Sequence, residues 1–242
     1  GVPMIGDQLT AAGLTWRAYG EDMAASPGVA PSACRHPVLG RPDADQHQKP
    51  GDAFATRHMP FLYFHSVIDS ASCADLVVDL GRLESDLASL STTPNLVYVV
   101  PDLCNDAHDE TCLDGGPGGL TAADGFLRTW VPKVLASPAF AENGLLVVVF
   151  DEAPSGADAS GCCGELQGPN QTEPAGKTGP GGGRTGAVLI SPLIAAGSVN
   201  DTPYNHFSLL CSLEDLWGLE RLGYAAHPST PCFSTDVWGA SA

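Results

Sequence analysis

Two adjacent carboxylates, Asp151 and Glu152, follow directly on the apolar run Gly144 to Phe150. Carboxylates leaving a core strand are costly to desolvate unless a cation or hydrogen-bond donors compensate them. Neighbouring strand residues point to opposite faces, yet where a strand ends and the chain turns, both can converge on one hard cation through oxygen. The same pair would equally serve as the cap of a solvated loop. A second cluster, Asp102, Asn105, Asp106, His108, Asp109 and Glu110, crowds the stretch after the apolar run Asn95 to Val100. It reads either as a histidine general acid held by carboxylates, with ligands for an oxyanion or metal, or as an acidic loop stapled by Cys104 and Cys112. His206, in Tyr204-Asn205-His206-Phe207-Ser208, stands at the start of an apolar-periodic segment. A helix N-terminus there favours bound anions, and a capping or packing histidine is the plainer alternative. His58 follows Arg57, two phosphate-directed groups before an apolar segment; His36, His47, His65 and His227 lack comparable settings.

The elements that must carry these groups alternate. A short helix, Asp7 to Ala12, turns at Gly13 into a strand, Thr15 to Tyr19. From Cys73 the series Leu76, Val77, Leu80, Leu83, Leu87 and Leu90 has helical spacing, and Asn95 to Val100 is a buried strand. Thr121 caps a helix through Leu135, Gly144 to Phe150 and Gly186 to Ser191 are further strands, and His206 to Leu222 is a helix. Near-continuous apolar strands separated by helices predict an α/β fold with a mostly parallel sheet, doubly wound, helices on both faces. Ligands of such sheets bind beyond the carboxyl ends of the strands, where the two acidic clusters fall. Ala25 to Gly51 and Ala153 to Arg184 are rich in Gly and Pro and read as long loops. Within the second, Gly179-Pro180-Gly181-Gly182-Gly183-Arg184 lacks the Lys-[ST] of a phosphate-cradling loop and reads as flexible. No G-x-S-x-G, H-E-x-x-H or G-x-G-x-x-G occurs.

The 242 residues carry 11 Lys+Arg against 28 Asp+Glu, a net charge of −17, which speaks against nucleic-acid partners. No apolar run approaches the ~18 residues of a membrane helix. The 8 cysteines lack zinc-site spacing and fit disulfides supporting a real core, with Cys104–Cys112 and Cys211–Cys232 the pairs expected from proximity. With the sequons at Asn170 and Asn200, they point to a secreted, extracellular protein. Gly1-Val2-Pro3 opens without a leader pattern, so a processed or truncated start is expected.

Several segments, taken in order, resemble the secreted acid phosphatase and phospholipase C type phosphoesterases of the alkaline phosphatase superfamily. They are Asp7-Gln8-Leu9 through Trp16-Arg17-Ala18-Tyr19 with Glu21-Asp22-Met23, Arg57-His58-Met59-Pro60-Phe61, and Pro101 through Asp109. Phe150-Asp151-Glu152, Leu189 to Leu193, Tyr204 to Leu210, Glu214 to Leu219 and Leu222-Gly223-Tyr224-Ala225 follow. Their colinear order covers essentially the whole chain, and the acid phosphatase side of the family is the nearer.

The resemblance implies an alkaline-phosphatase-like single domain over residues 1–242 and metal-dependent hydrolysis of small phosphate monoesters through a phosphoenzyme. Asp151 and Glu152 become ligands of one divalent ion, calcium, magnesium or zinc. Asn105, Asp106 and His108, with Asn205 and His206, contact phosphate or act near the leaving group; His58 matches a Lys-His-Asn-Pro-Phe-like segment, from which Arg57 and Met59 depart. The family begins with a strand ending in Glu-Asn followed by a Ser or Thr nucleophile, both of which would precede Gly1. Either an amino-terminal piece has been removed, or it is a separate fragment acting as a partner, or the chain is not a competent enzyme, and no nucleophile is named. The alternatives are a phospholipase C-like phosphodiesterase and a non-catalytic secreted binding protein on the same fold. All of these readings expect the strand-end carboxylates and the imidazoles of two distant loops to gather around one cation-and-phosphate pocket.

Overall fold

The computed structural model describes residues 1–24, 33–108, 110–154, 158–165 and 179–239; the sequon at Asn170 and the candidate Asp109 lie outside them. In chain order the helices are α1 (Ile5–Ala11), α2 (His65–Ile68), α3 (Cys73–Leu76), α4 (Leu83–Asp86), α5 (Gly119–Leu135), α6 (Pro138–Asn143), α7 (His206–Leu216) and α8 (Thr235–Trp238). The strands are β1 (Trp16–Gly20), β2 (Val77–Asp79), β3 (Leu96–Val100), β4 (Leu146–Val149) and β5 (Ala187–Ile190). The chain divides into two compact units, Gly1–Ala139 and Phe140–Ala242.

The first unit is built on a three-stranded parallel sheet in the order β2-β1-β3. Successive residues of a strand face opposite ways, and both faces are covered. Tyr19, Val97 and Val99 pack with Leu80, Leu83 and Leu87 against Phe126, Trp130 and Val134 of α5. On the other face Phe61 stacks on Trp16 at 4.9 Å and meets the edge of Tyr98 at 5.2 Å.

The single helix expected from Cys73 to Leu90 is not formed. Val77 and Val78, β-branched and buried, instead make β2 and pair with Ala18 and Tyr19, so sheet pairing overrides the helical spacing of the leucines. Asp79 then starts a 3₁₀ turn by accepting the amide of Gly81 at 2.8 Å and that of Ala24 at 3.0 Å.

In the second unit β4 and β5 are antiparallel partners, Leu146 opposite Ile190 and Val149 opposite Ala187. The expectation of buried parallel strands here is corrected: Val149, Phe150 and Val188 are exposed, so these runs are apolar without being central. An unbroken apolar run does not by itself distinguish the two cases. α7 stops at Leu216, short of the expected Leu222, because Gly218 adopts φ +64° and reverses the chain. The buried Glu214 secures that reversal, its carbonyl taking the amide of Leu219 at 2.8 Å and its carboxylate that of Leu222 at 3.0 Å.

All eight cysteines are paired: Cys104–Cys112 and Cys211–Cys232 as expected from proximity, with Cys34–Cys73 and Cys162–Cys163 completing the set. No helix among the described residues is long and apolar enough to cross a membrane.

Candidate active site

In the first unit the candidate residues leave the carboxyl end of β3, next to the end of β1, where an open parallel sheet binds ligands. The amide of Glu21 donates to the carbonyl of Val100 at 3.0 Å and prolongs the β1–β3 pairing by one bond. Glu21 Oε2 then accepts the main-chain amide of Asp102 at 3.0 Å and Asn105 Nδ2 at 2.9 Å. Asp102 Oδ1 accepts the amides of Cys104 and Asn105 at 2.8 and 2.9 Å, folding the loop back on itself. Burial pushes Glu21 above the usual carboxylate range, opposed by the donors from Asn105 and Asp102. Burial, reinforced by the charge of Glu21, pushes Asp102 up to about 7. Asp102 belongs to the acidic cluster of the sequence and Glu21 to a segment quoted for the resemblance alone; their pairing joins residues about eighty apart, which no local pattern encodes.

Asp106 accepts the His108 amide at 2.8 Å across Ala107, which sits at φ +71°. The ring of His108 is exposed. His58 ends a 3₁₀ turn, Thr56–His58, half-buried, its amide bonded to the carbonyl of Ala55 at 3.2 Å.

In the second unit Asp151 and Glu152 stand exposed just past β4, the amide of Glu152 donating to Asp151 Oδ1 at 2.9 Å. The glycine run read as flexible is packed against the loop that follows them. Gly182 accepts the amide of Ala153 at 2.9 Å, and a Cβ on Gly183, at φ +86°, would lie 2.6 Å from both Ala153 Cβ and the carbonyl of Asp158. Asn205 is the N-cap of α7, its Oδ1 accepting the Ser208 amide at 2.9 Å while its own amide donates to Ser208 Oγ at 3.0 Å. Its Nδ2 is buried and finds no hydrogen-bond partner among the described residues.

His206, the first residue of α7, places Nε2 2.8 Å from the carbonyl oxygen of Asp151. A carbonyl only accepts, so Nε2 carries the proton and Nδ1 is the nitrogen left to exchange one with a substrate. Within this unit the bond joins the imidazole of His206 to the main chain, not the carboxylate, of Asp151. Among the described residues no three His, Cys, Asp or Glu side chains gather as a preformed metal cage.

The family model of the phosphoesterase family matches residues 1–220. The chain belongs to the phosphoesterase family. Among its relatives in that sense are a phosphate-repressible acid phosphatase of Penicillium chrysogenum, 25% identical over 222 residues, and an acid phosphatase of Aspergillus fumigatus, 24% identical over 170. A phosphatidylinositol-3-phosphatase of Mycobacterium tuberculosis is 24% identical over 238 residues. These alignments cover 92%, 70% and 98% of this phosphoesterase chain, and 44%, 32% and 59% of the respective relatives. The chain thus spans less than two thirds of the length of each.

Proposed function

We propose that this chain is part of a secreted hydrolase of small phosphate monoesters, of the acid phosphatase kind. The observation that carries the reading is the bond between His206 Nε2 and the carbonyl of Asp151, which ties an imidazole at a helix N-terminus to the acidic strand end. The relatives' names, acid phosphatases and a phosphoinositide phosphatase, support the same class. The paired cysteines support export, and the net charge of −17 favours small soluble esters over anionic lipid surfaces.

Two exposed carboxylates on consecutive residues, with no third protein ligand beside them among the described residues, fit a hard divalent cation that retains water and shares substrate phosphate oxygens. Asp151 and Glu152 would hold that ion, and when bound it would supply electrophilic stabilisation of charge on the phosphoryl group. His206, its Nε2 hydrogen committed to Asp151, would protonate the leaving oxygen from Nδ1 as an imidazolium, which suits an acidic optimum. For the first unit, taken by itself, Asn105 would donate a side-chain amide hydrogen to a phosphoryl oxygen, and the exposed ring of His108 would be a candidate proton donor. The reaction would pass through a phosphoenzyme, and no residue of this chain is assigned as its nucleophile.

The test is turnover of p-nitrophenyl phosphate by the full-length protein, before and after exhaustive chelation. Turnover that is lost on chelation and restored by a single divalent ion supports the reading. Turnover indifferent to chelation removes the metal, and no turnover with any phosphate ester removes the hydrolase.

A further inference from the structure

We propose that Glu21 is a positioning residue, which aims the side-chain amide of Asn105 at a phosphoryl oxygen. The inference rests on the hydrolase reading above and adds to it a residue from a different strand. An asparagine amide can present either its oxygen or its nitrogen to a ligand, since the two orientations differ by a half-turn of one soft torsion. An ionised carboxylate only accepts. With Glu21 Oε2 2.9 Å from Nδ2, the nitrogen is drawn toward Glu21 and one of its two hydrogens remains for another acceptor.

The same oxygen also takes the amide of Asp102 at 3.0 Å, so the carboxylate is itself held in place by the end of β3. The backbone of Asn105 makes no bond to Glu21 itself. Its amide bonds to Asp102 Oδ1 at 2.9 Å and to the Asp102 carbonyl at 3.1 Å, and the neighbouring Cys104 is tied to Cys112. The bond that Glu21 makes directly at Asn105 is to the side chain, and it reaches the backbone there only through Asp102. Glu21 and Asn105 share the wall of a cavity of about 400 Å³, also lined by Thr121, Thr129 and Trp130, which gives the oriented amide a space large enough for a small phosphate ester.

The experiment compares wild type, Glu21→Ala, Glu21→Gln, Asn105→Ala and the double variant Glu21→Ala/Asn105→Ala in the full-length protein. It reads kcat and KM for p-nitrophenyl phosphate, the inhibition constant of inorganic phosphate, and melting temperature. Glu21→Ala and Asn105→Ala should each raise KM and the phosphate constant about tenfold, the size of one charge-assisted hydrogen bond. The double variant should be no worse than Asn105→Ala within about twofold, because both changes remove the same interaction. Glu21→Gln, whose carbonyl can accept the same bond, should stay within about threefold of wild type.

Losses that multiply in the double variant, or a Glu21→Gln variant as impaired as Glu21→Ala, would overturn the proposal. If the wild-type protein hydrolyses no phosphate ester, the hydrolase reading falls by itself. Calorimetric binding of inorganic phosphate by the same five proteins then decides the positioning role, by the same coupling between Glu21 and Asn105. Absence of phosphate binding in the wild type would overturn both.

Discussion

His206 Nε2 lies 2.8 Å from the main-chain oxygen of Asp151, a residue fifty-five positions earlier in the chain. The bond fixes the imidazole tautomer and leaves Nδ1 as the working nitrogen. Its consequence is testable through the leaving group. Removing the imidazole, as in His206→Ala, should lower kcat by ~10² to 10⁴ on phenyl or alkyl phosphates, whose leaving oxygens need a proton. The loss should be distinctly smaller on p-nitrophenyl phosphate, whose leaving group needs little protonation. Equal losses on both substrates would remove His206 from the acid role.

The packing of Gly183 bears on the same strand end. An added methyl there meets Ala153 Cβ and the Asp158 carbonyl at 2.6 Å, on a backbone at φ +86°. Gly183→Ala should therefore destabilise the second unit by about 1 to 3 kcal/mol and reduce turnover, by shifting the loop that follows Glu152. Thermal melting and steady-state kinetics check it. A variant with unchanged melting and turnover would show that this loop can give way without disturbing the carboxylates.

Asp102 makes stability depend on pH. Its carboxyl is raised from the ordinary value near 3.8 to about 7, so between those values the folded protein holds a proton that the unfolded chain has released. This contribution to stability is fully present below about 4 and lost as pH rises through about 7. Asp102→Asn keeps an acceptor for the amides of Cys104 and Asn105 without the charge. It should melt higher than wild type at pH 8 and show a smaller advantage at pH 4, with melting curves at the two values as the measurement.

Arg35 is buried between Asp45 and Asp52, at 2.8 and 2.6 Å, and its side chain is 4% exposed. Replacing it by Leu strands two carboxylates and should cost about 3 to 5 kcal/mol. Arg35→Lys should recover only part of this, because an ammonium cannot satisfy both carboxylates in the paired geometry of the guanidinium. Urea denaturation of the three proteins measures it, and full recovery by lysine would contradict the geometric account.

The sequence made β1, β3 and α5 legible because each is a long enough periodic run bounded by strong punctuation, such as Pro94 and Pro101 around β3. It misread Cys73 to Leu90, where three residues of buried strand, Val77 to Asp79, interrupt leucines that keep helical spacing. Pairing with β1 decides that segment, and pairing partners are not written in a local window. The strand-end pair Asp151–Glu152 and the helix-start His206 were legible as punctuation too, and the structure joins Asp151 to His206. Glu21 carried no role in the sequence: with Asp22 it forms an acidic pair after a short strand, and only the fold sets it beside Asp102 and Asn105. The bond of Asp106 to the His108 amide is local, since a carboxylate two residues before a histidine reaches that residue's amide more readily than its ring.

The most direct test is kcat/KM for p-nitrophenyl phosphate in the full-length Asp151→Ala variant, since this change removes a carboxylate while leaving the main-chain oxygen that His206 meets. A fall of at least ~100-fold with the melting temperature preserved is expected, the scale of lost charge stabilisation at a phosphoryl group. Turnover within about threefold of wild type would contradict it.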